Sequence, residues 1–123
     1  MRTSPVVSIV EDDAAVRTAL GNLVRSMGYR VMMFESAEAY LASGHFAQTS
    51  CMISDVLMPG MSGDQMHERL VAQGNACPTI FVSAFPTDAL QAKLTRQGAL
   101  VLLEKPCAPS AIAHWIGVAL ADR

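Results

Sequence analysis

The chain has 123 residues, 51% of them apolar and 16% charged, with a formal net charge of −2. That balance describes one globular domain, residues 1–123, and excludes a disordered chain. The near-neutral charge gives no reason to expect direct nucleic-acid binding, no apolar run approaches the roughly 18 residues of a membrane span, and MRTSPVVSIVEDD reaches acids too early for a signal peptide, so a cytoplasmic protein is expected.

VVSIV (6–10) reads as an apolar strand, β1. AAVRTALGNLVRSMG then sets Val16, Leu20, Leu23, Val24 and Met27 on one face of helix α1, and Gly28 fits its stop. YRVMMF (29–34) is strand β2. Ser36 caps a short helix, α2, which carries Glu38 in its first turn and Tyr40 and Leu41 beyond. SCMIS (50–54) is strand β3, followed at once by Asp55 and a break at Pro59-Gly60. Helix α3 runs from about 63 to 73, with Met66 and Leu70 inward and Gly74 as its stop. PTIFVS (78–83) is strand β4. Thr87 caps α4, DALQAKLTRQ, which Gly98 ends. ALVLL (99–103) is strand β5, and PSAIAHWIGVALA forms α5, with Pro109 in its first turn.

The pattern is β-α five times over. Short, nonalternating apolar strands are expected where helices cover both faces of a parallel sheet. Crossovers should be right-handed, and ligands should bind at the carboxyl ends of the strands. The cysteines, Cys51, Cys77 and Cys107, form no C-x-x-C pair and read as reduced thiols, at least two of them packed. His45, His67 and His114 lack ligand spacing, so zinc is not expected, and the eight methionines read as core filler.

Strand ends therefore direct attention to one rim. β1 ends in Glu11-Asp12-Asp13, β3 in Asp55, β4 in Ser83 and β5 in Glu104-Lys105-Pro106. Asp13 is assigned to capping α1. Acids at a helix start are common, but Asp55 arrives from far along the chain. Carboxylates from adjacent strands repel unless a cation intervenes, and magnesium suits a site of oxygen ligands. A lysine before proline is ordinarily a solvated loop residue. Opposite these acids, Lys105 can neutralise one and hold an oxygen anion. Ser83 can donate its hydroxyl proton. Acids, a metal, a hydroxyl and an ammonium around one aspartate are the parts of a phosphoryl-transfer site, with Asp55 as acceptor.

On VEDD, SDVLMPGMSG, FVSA and EKP, in this order and on these elements, the chain resembles a response-regulator receiver domain over its whole length. SAEAYL and QGA resemble the FixJ-like subfamily of these transcription regulators. The resemblance implies a flavodoxin-like (βα)5 doubly wound sheet of strand order 2-1-3-4-5 and a cis Lys105-Pro106 bond. It implies that Asp55 is phosphorylated by a sensor histidine kinase. Glu11, Asp12, Asp55 and the backbone carbonyl of Leu57 would bind Mg2+, or Mn2+ in its place. Ser83 and Lys105 would hold the phosphoryl group. The domain would assist its own phosphorylation and slow dephosphorylation without being an enzyme.

Ser83, Ala84, Leu102, Pro106 and Cys107 fall at switch and interface positions. The family's usual aromatics are replaced at two of them, by Leu102 and Cys107. Phosphorylation would repack the α4–β5–α5 face, which dimerises in FixJ-like relatives. The kinase would dock at Ala14, Ala15, Thr18, Pro106 and Cys107. Leu57 cannot orient a hydrolytic water and Phe85 could shield the site, so a long-lived phosphoryl group is expected. The alternative is a pseudo-receiver that binds proteins without phosphorylation. A phosphatase of the haloacid dehalogenase type would need a second aspartate where Leu57 stands. A flavodoxin would need a Ser/Thr-rich loop where EDDAA stands.

Overall fold

The computed structural model describes residues 5–121, so residues 1–4 and 122–123 of the expected domain lie outside it. Strands β1 (Val6–Val10), β2 (Arg30–Phe34), β3 (Cys51–Asp55), β4 (Thr79–Ser83) and β5 (Val101–Glu104) alternate with the five helices. These are α1 (Ala14–Ser26), α2 (Ala37–Ser43), α3 (Gly63–Ala72), α4 (Asp88–Gln97) and α5 (Pro109–Leu120). All strand pairs are parallel, in the order β2-β1-β3-β4-β5 that the resemblance implied.

The three central strands are buried along their whole length, which is why they read as unbroken apolar runs. The edge strands β2 and β5 are partly exposed. Within each buried strand the side chains still alternate between the two faces. Val7, Ile9, Cys51, Ile53 and Ile80 pack with Val24, Ile112 and Ile116 beneath α1 and α5. Val10 and Met52 face the other way, onto Tyr40, Met66 and Leu70 of α2 and α3. Phe81 joins Val56, Leu94 and Leu102 under α4.

Three helix starts follow the expected caps, at Asp13, Ser36 and Thr87. Asp13 Oδ1 accepts the N–H groups of Ala15 and Val16 at 2.9 and 3.1 Å, as its assignment to α1 required. Ser36, Ser62 and Thr87 cap α2, α3 and α4, and Ser62 forms a reciprocal capping box with Gln65.

Only β1 keeps its expected bounds: β2 and β4 begin one residue late, at Arg30 and Thr79, and β3 and β5 shift at both ends. β3 extends through Asp55, because the Val56 N–H continues the pairing to Val82 O at 3.1 Å. β5 begins at Val101 and not at 99. The Ala99 N–H bonds Leu94 O to close α4, after Gly98 turns the chain at φ +89°. Cys51 is fully buried, and Cys77 and Cys107 are half-buried against the core.

Candidate functional site

Parallel pairing carries the strand ends to a common rim. Val10 stands opposite Ser54, Asp55 opposite Val82, and Ser83 opposite Glu104. The Lys105 N–H bonds Ser83 O at 2.9 Å, so the β5 exit is tied to the end of β4. From there the Lys105 ammonium reaches back across the sheet. Its Nζ donates to Asp55 Oδ2 at 2.8 Å and to Glu11 Oε1 at 2.9 Å. Glu11 and Asp55 are almost fully enclosed, with side chains 1% and 7% exposed. Carboxylate oxygens of Glu11, Asp12 and Asp55 lie within 4.8 Å of one another.

Enclosure sets the electrostatics. Burial pushes Glu11 up to about 7, and the Asp55 charge adds to the rise. The hydrogen bonds from Lys105 and the Asp13 N–H pull the other way without cancelling it. Burial also works against the Lys105 ammonium, but its bonds to Asp55 and Glu11 outweigh that, and its pKa rises. Three clustered acids thus face one ammonium, and Glu11 gives up its proton far less readily than an exposed carboxyl would. A hard divalent cation taking oxygen ligands would supply the missing positive charge, so the donor set fits magnesium.

The remaining expected residues are placed as follows. Ser83 is buried, and its Oγ accepts the Phe85 N–H at 3.1 Å while keeping a proton to donate. Ala84 is exposed beside it. Leu57 points an exposed side chain into solvent just beyond Asp55. Leu102 is buried and packs with Phe81 and Leu94. The Lys105–Pro106 peptide is cis. Pro106 is exposed, and the Cys107 thiol donates to Glu104 O at 3.4 Å. Shielding by Phe85 is not seen. The bond to Ser83 fixes its backbone, and the residue stands 74% exposed.

An apolar groove of about 600 Å³ reaches Lys105 and is otherwise lined by Val16, Ala19, Leu20, Pro106, Cys107 and other apolar residues. Ala14, Ala15 and Thr18 are exposed at the start of α1.

Some supporting contacts had no signature in the sequence. Arg17 Nη1 donates to Glu11 O at 2.7 Å, and Ser54 Oγ to Asp55 O at 2.9 Å. Gly63 lies so close that a Cβ there would stand 2.1 Å from Asp55 O. A glycine opening a helix is a poor helix former, and that alone hinted at a packing reason.

Fold and site together define a doubly wound α/β domain with an acidic, lysine-bridged pocket at its carboxyl rim. The chain belongs to the response regulator receiver domain family, whose model matches residues 7–116. It is 41% identical over 101 residues to the response regulator protein TmoT of Ectopseudomonas mendocina, covering 82% of this chain and 46% of that protein. It is 33% identical over 106 residues to the transcriptional regulatory protein FixJ of Bradyrhizobium diazoefficiens, covering 86% and 52%. The chain thus spans about half the length of these curated relatives. Among solved structures, the response regulator StyR superposes with a TM-score of 0.89 at 34% identity, covering 97% of this chain and 60% of that one. A FixJ N-terminal structure gives a TM-score of 0.84 at 28% identity, covering 96% and 94%.

Proposed function

We propose that residues 1–123 act as a single phosphorylation-switched receiver module in two-component signalling, with Asp55 as the phosphoacceptor. The observation that carries this reading is the Lys105 ammonium held between Asp55 and Glu11, with Asp12 beside them. The phosphodonor is a phosphohistidine on a sensor histidine kinase. An Asp55 carboxylate oxygen attacks phosphorus, an O–P bond forms, the N–P bond breaks, and the imidazole leaves. Magnesium, or manganese, held by Glu11, Asp12, Asp55 and the Leu57 carbonyl, would supply charge neutralisation for the phosphoryl oxygens.

The chain's own residues do the rest. Lys105 exchanges its carboxylate partner for a phosphoryl oxygen, and the Ser83 hydroxyl donates to another. Catalysis of this kind is positioning plus charge stabilisation. Leu57 offers no group to orient water, which favours slow loss of the phosphoryl group. The groove between α1 and the Pro106–Cys107 turn is apolar and reaches Lys105, which bonds Asp55, and this suits docking of the kinase helix that bears the phosphohistidine. The added charge of ~−1.5 to −2 then draws Ser83 and Lys105 inward and shifts α4 over the Phe81–Leu94–Leu102 cluster. A binding-only reading would need the acceptor or the lysine to be missing, and both are in place.

Incubation with phosphoramidate and Mg2+, followed by intact-mass measurement, tests the reading. Wild type should gain the mass of one phosphoryl group, and Asp55→Asn should gain none. Unlabelled wild type, or labelling that survives Asp55→Asn, would sink the assignment.

A further inference from the structure

The loop 56–62 leads from Asp55 to α3 and carries the Leu57 carbonyl. A backbone ligand cannot be aimed by its own side chain, so its position depends on what anchors the loop. The inner end is anchored to the sheet. Val56 N–H bonds Val82 O at 3.1 Å, Gly63 N–H bonds Val56 O at 2.8 Å, and Met58 is buried between α2 and α3. The outer end meets α2. Glu38 Oε2 accepts the Met61 N–H at 2.9 Å, across 23 residues of sequence. The same carboxylate fills the space beside Gly60, where a Cβ would stand 2.5 Å from Oε2, and Gly60 itself has φ +78°. The bond and the bare glycine together fix how the carboxylate sits against the loop. The Met61 N–H also holds the Glu38 carboxyl below its ordinary pKa, as a hydrogen bond to the charged form must.

We propose that Glu38 is a positioning residue for the metal site, fixing the course of loop 56–62 from α2 and so where the Leu57 carbonyl stands relative to Asp55. This rests on the reading that the rim takes Mg2+. Glu38 is exposed, so its loss removes a tether without opening a cavity in the core. Its contribution is therefore separable from folding.

The experiment compares the full chain as wild type, Glu38→Ala and Glu38→Gln. Mg2+ binding is read by calorimetry, Met61 amide exchange by NMR, and thermal unfolding in chelator serves as the folding control. Glu38→Ala should weaken Mg2+ binding by about tenfold and speed Met61 exchange. Its unfolding in chelator should stay close to wild type. Glu38→Gln keeps an acceptor oxygen and should recover most of the affinity. Wild-type Mg2+ affinity in Glu38→Ala overturns the proposal, as does a loss that Glu38→Gln leaves unrepaired. Wild type that binds no Mg2+ removes the metal reading as well. Wild type that binds Mg2+ but takes no phosphoryl group sinks the phosphoacceptor reading and leaves this one standing.

Discussion

Glu11 is the residue whose surroundings bear most directly on measurement. In the folded protein burial raises it to about 7, against an ordinary value of 4.5. Between those values the folded chain binds more protons than the unfolded one, so its stability falls as pH rises through that window. The lowered groups, Asp64 and Glu38, act with the opposite sign, and their windows lie below their ordinary values of 3.8 and 4.5. With Mg2+ withheld by a chelator, the melting temperature should therefore decline from pH 4.5 to 7 more steeply in wild type than in Glu11→Gln. Equal slopes in the two proteins would remove Glu11 as the cause. Saturating Mg2+ should reverse the trend, since a ligand that binds only the folded state stabilises it and competes with the proton. Glu11, Asp12, Asp55, Ser83 and Lys105 were legible in the sequence because unbroken apolar runs mark strand ends, and parallel strands send their ends to one rim. Glu38, Arg17 and Gly63 were not. Their contacts are to backbone groups of other segments, at Met61, Glu11 and Asp55, and no side-chain periodicity records such pairings.

At the scale of elements, all ten were legible from periodicity and caps, and the errors fell at ends. β3 and β5 shifted because backbone bonds to β4 and the close of α4 decide where pairing begins and stops. The weight each helix bears was less visible. α4 buries only Leu94, beneath which lie Phe81, Val56 and Leu102. Polar contacts tie it to α3: Lys93 to Asp64 at 2.6 Å, and Gln97 to both His67 and Glu68 at 3.2 and 3.3 Å. These two kinds of anchor differ in strength. Leu94→Ala should destabilise by about 2–5 kcal/mol, the cost of deleting a buried leucine and leaving a cavity. Lys93→Ala should cost under about 1 kcal/mol, because Lys93 is 37% exposed and water screens the pair. Denaturant unfolding measures both, and a larger loss for Lys93→Ala would mean that the ion pair, not the apolar contact, holds α4. An element held by Leu94, with Leu90 packed beside it, and by a few polar ties is easily biased between two positions.

At the scale of the whole molecule, α4 contacts the short edge strand β5, while the uncharged α5 packs against the central strands β3 and β4. Edge β5 has only four residues, too few to invite indiscriminate strand pairing. Ala89, Ala92 and Thr95 expose a small, nearly neutral strip on α4, and Ala113, Gly117 and Val118 do so on α5. Two copies can approach closely on such a surface, but a modest shift of α4 is enough to make or spoil the fit. The proposed phosphoacceptor, Asp55, lies at the carboxyl end of β3 and is buried, whereas the α4 strip is exposed, so the two are separable by mutation. Phosphoramidate-treated protein should sediment as a larger species than untreated protein, and Asp55→Asn should not change. If phosphorylation pairs two copies through α4, Ala92→Glu would set like charges across the two-fold axis, and it should keep the molecule monomeric while Asp55 still gains its phosphoryl mass. Assembly that persists in labelled Ala92→Glu would move the interface elsewhere, and assembly of untreated Asp55→Asn would uncouple it from the rim altogether.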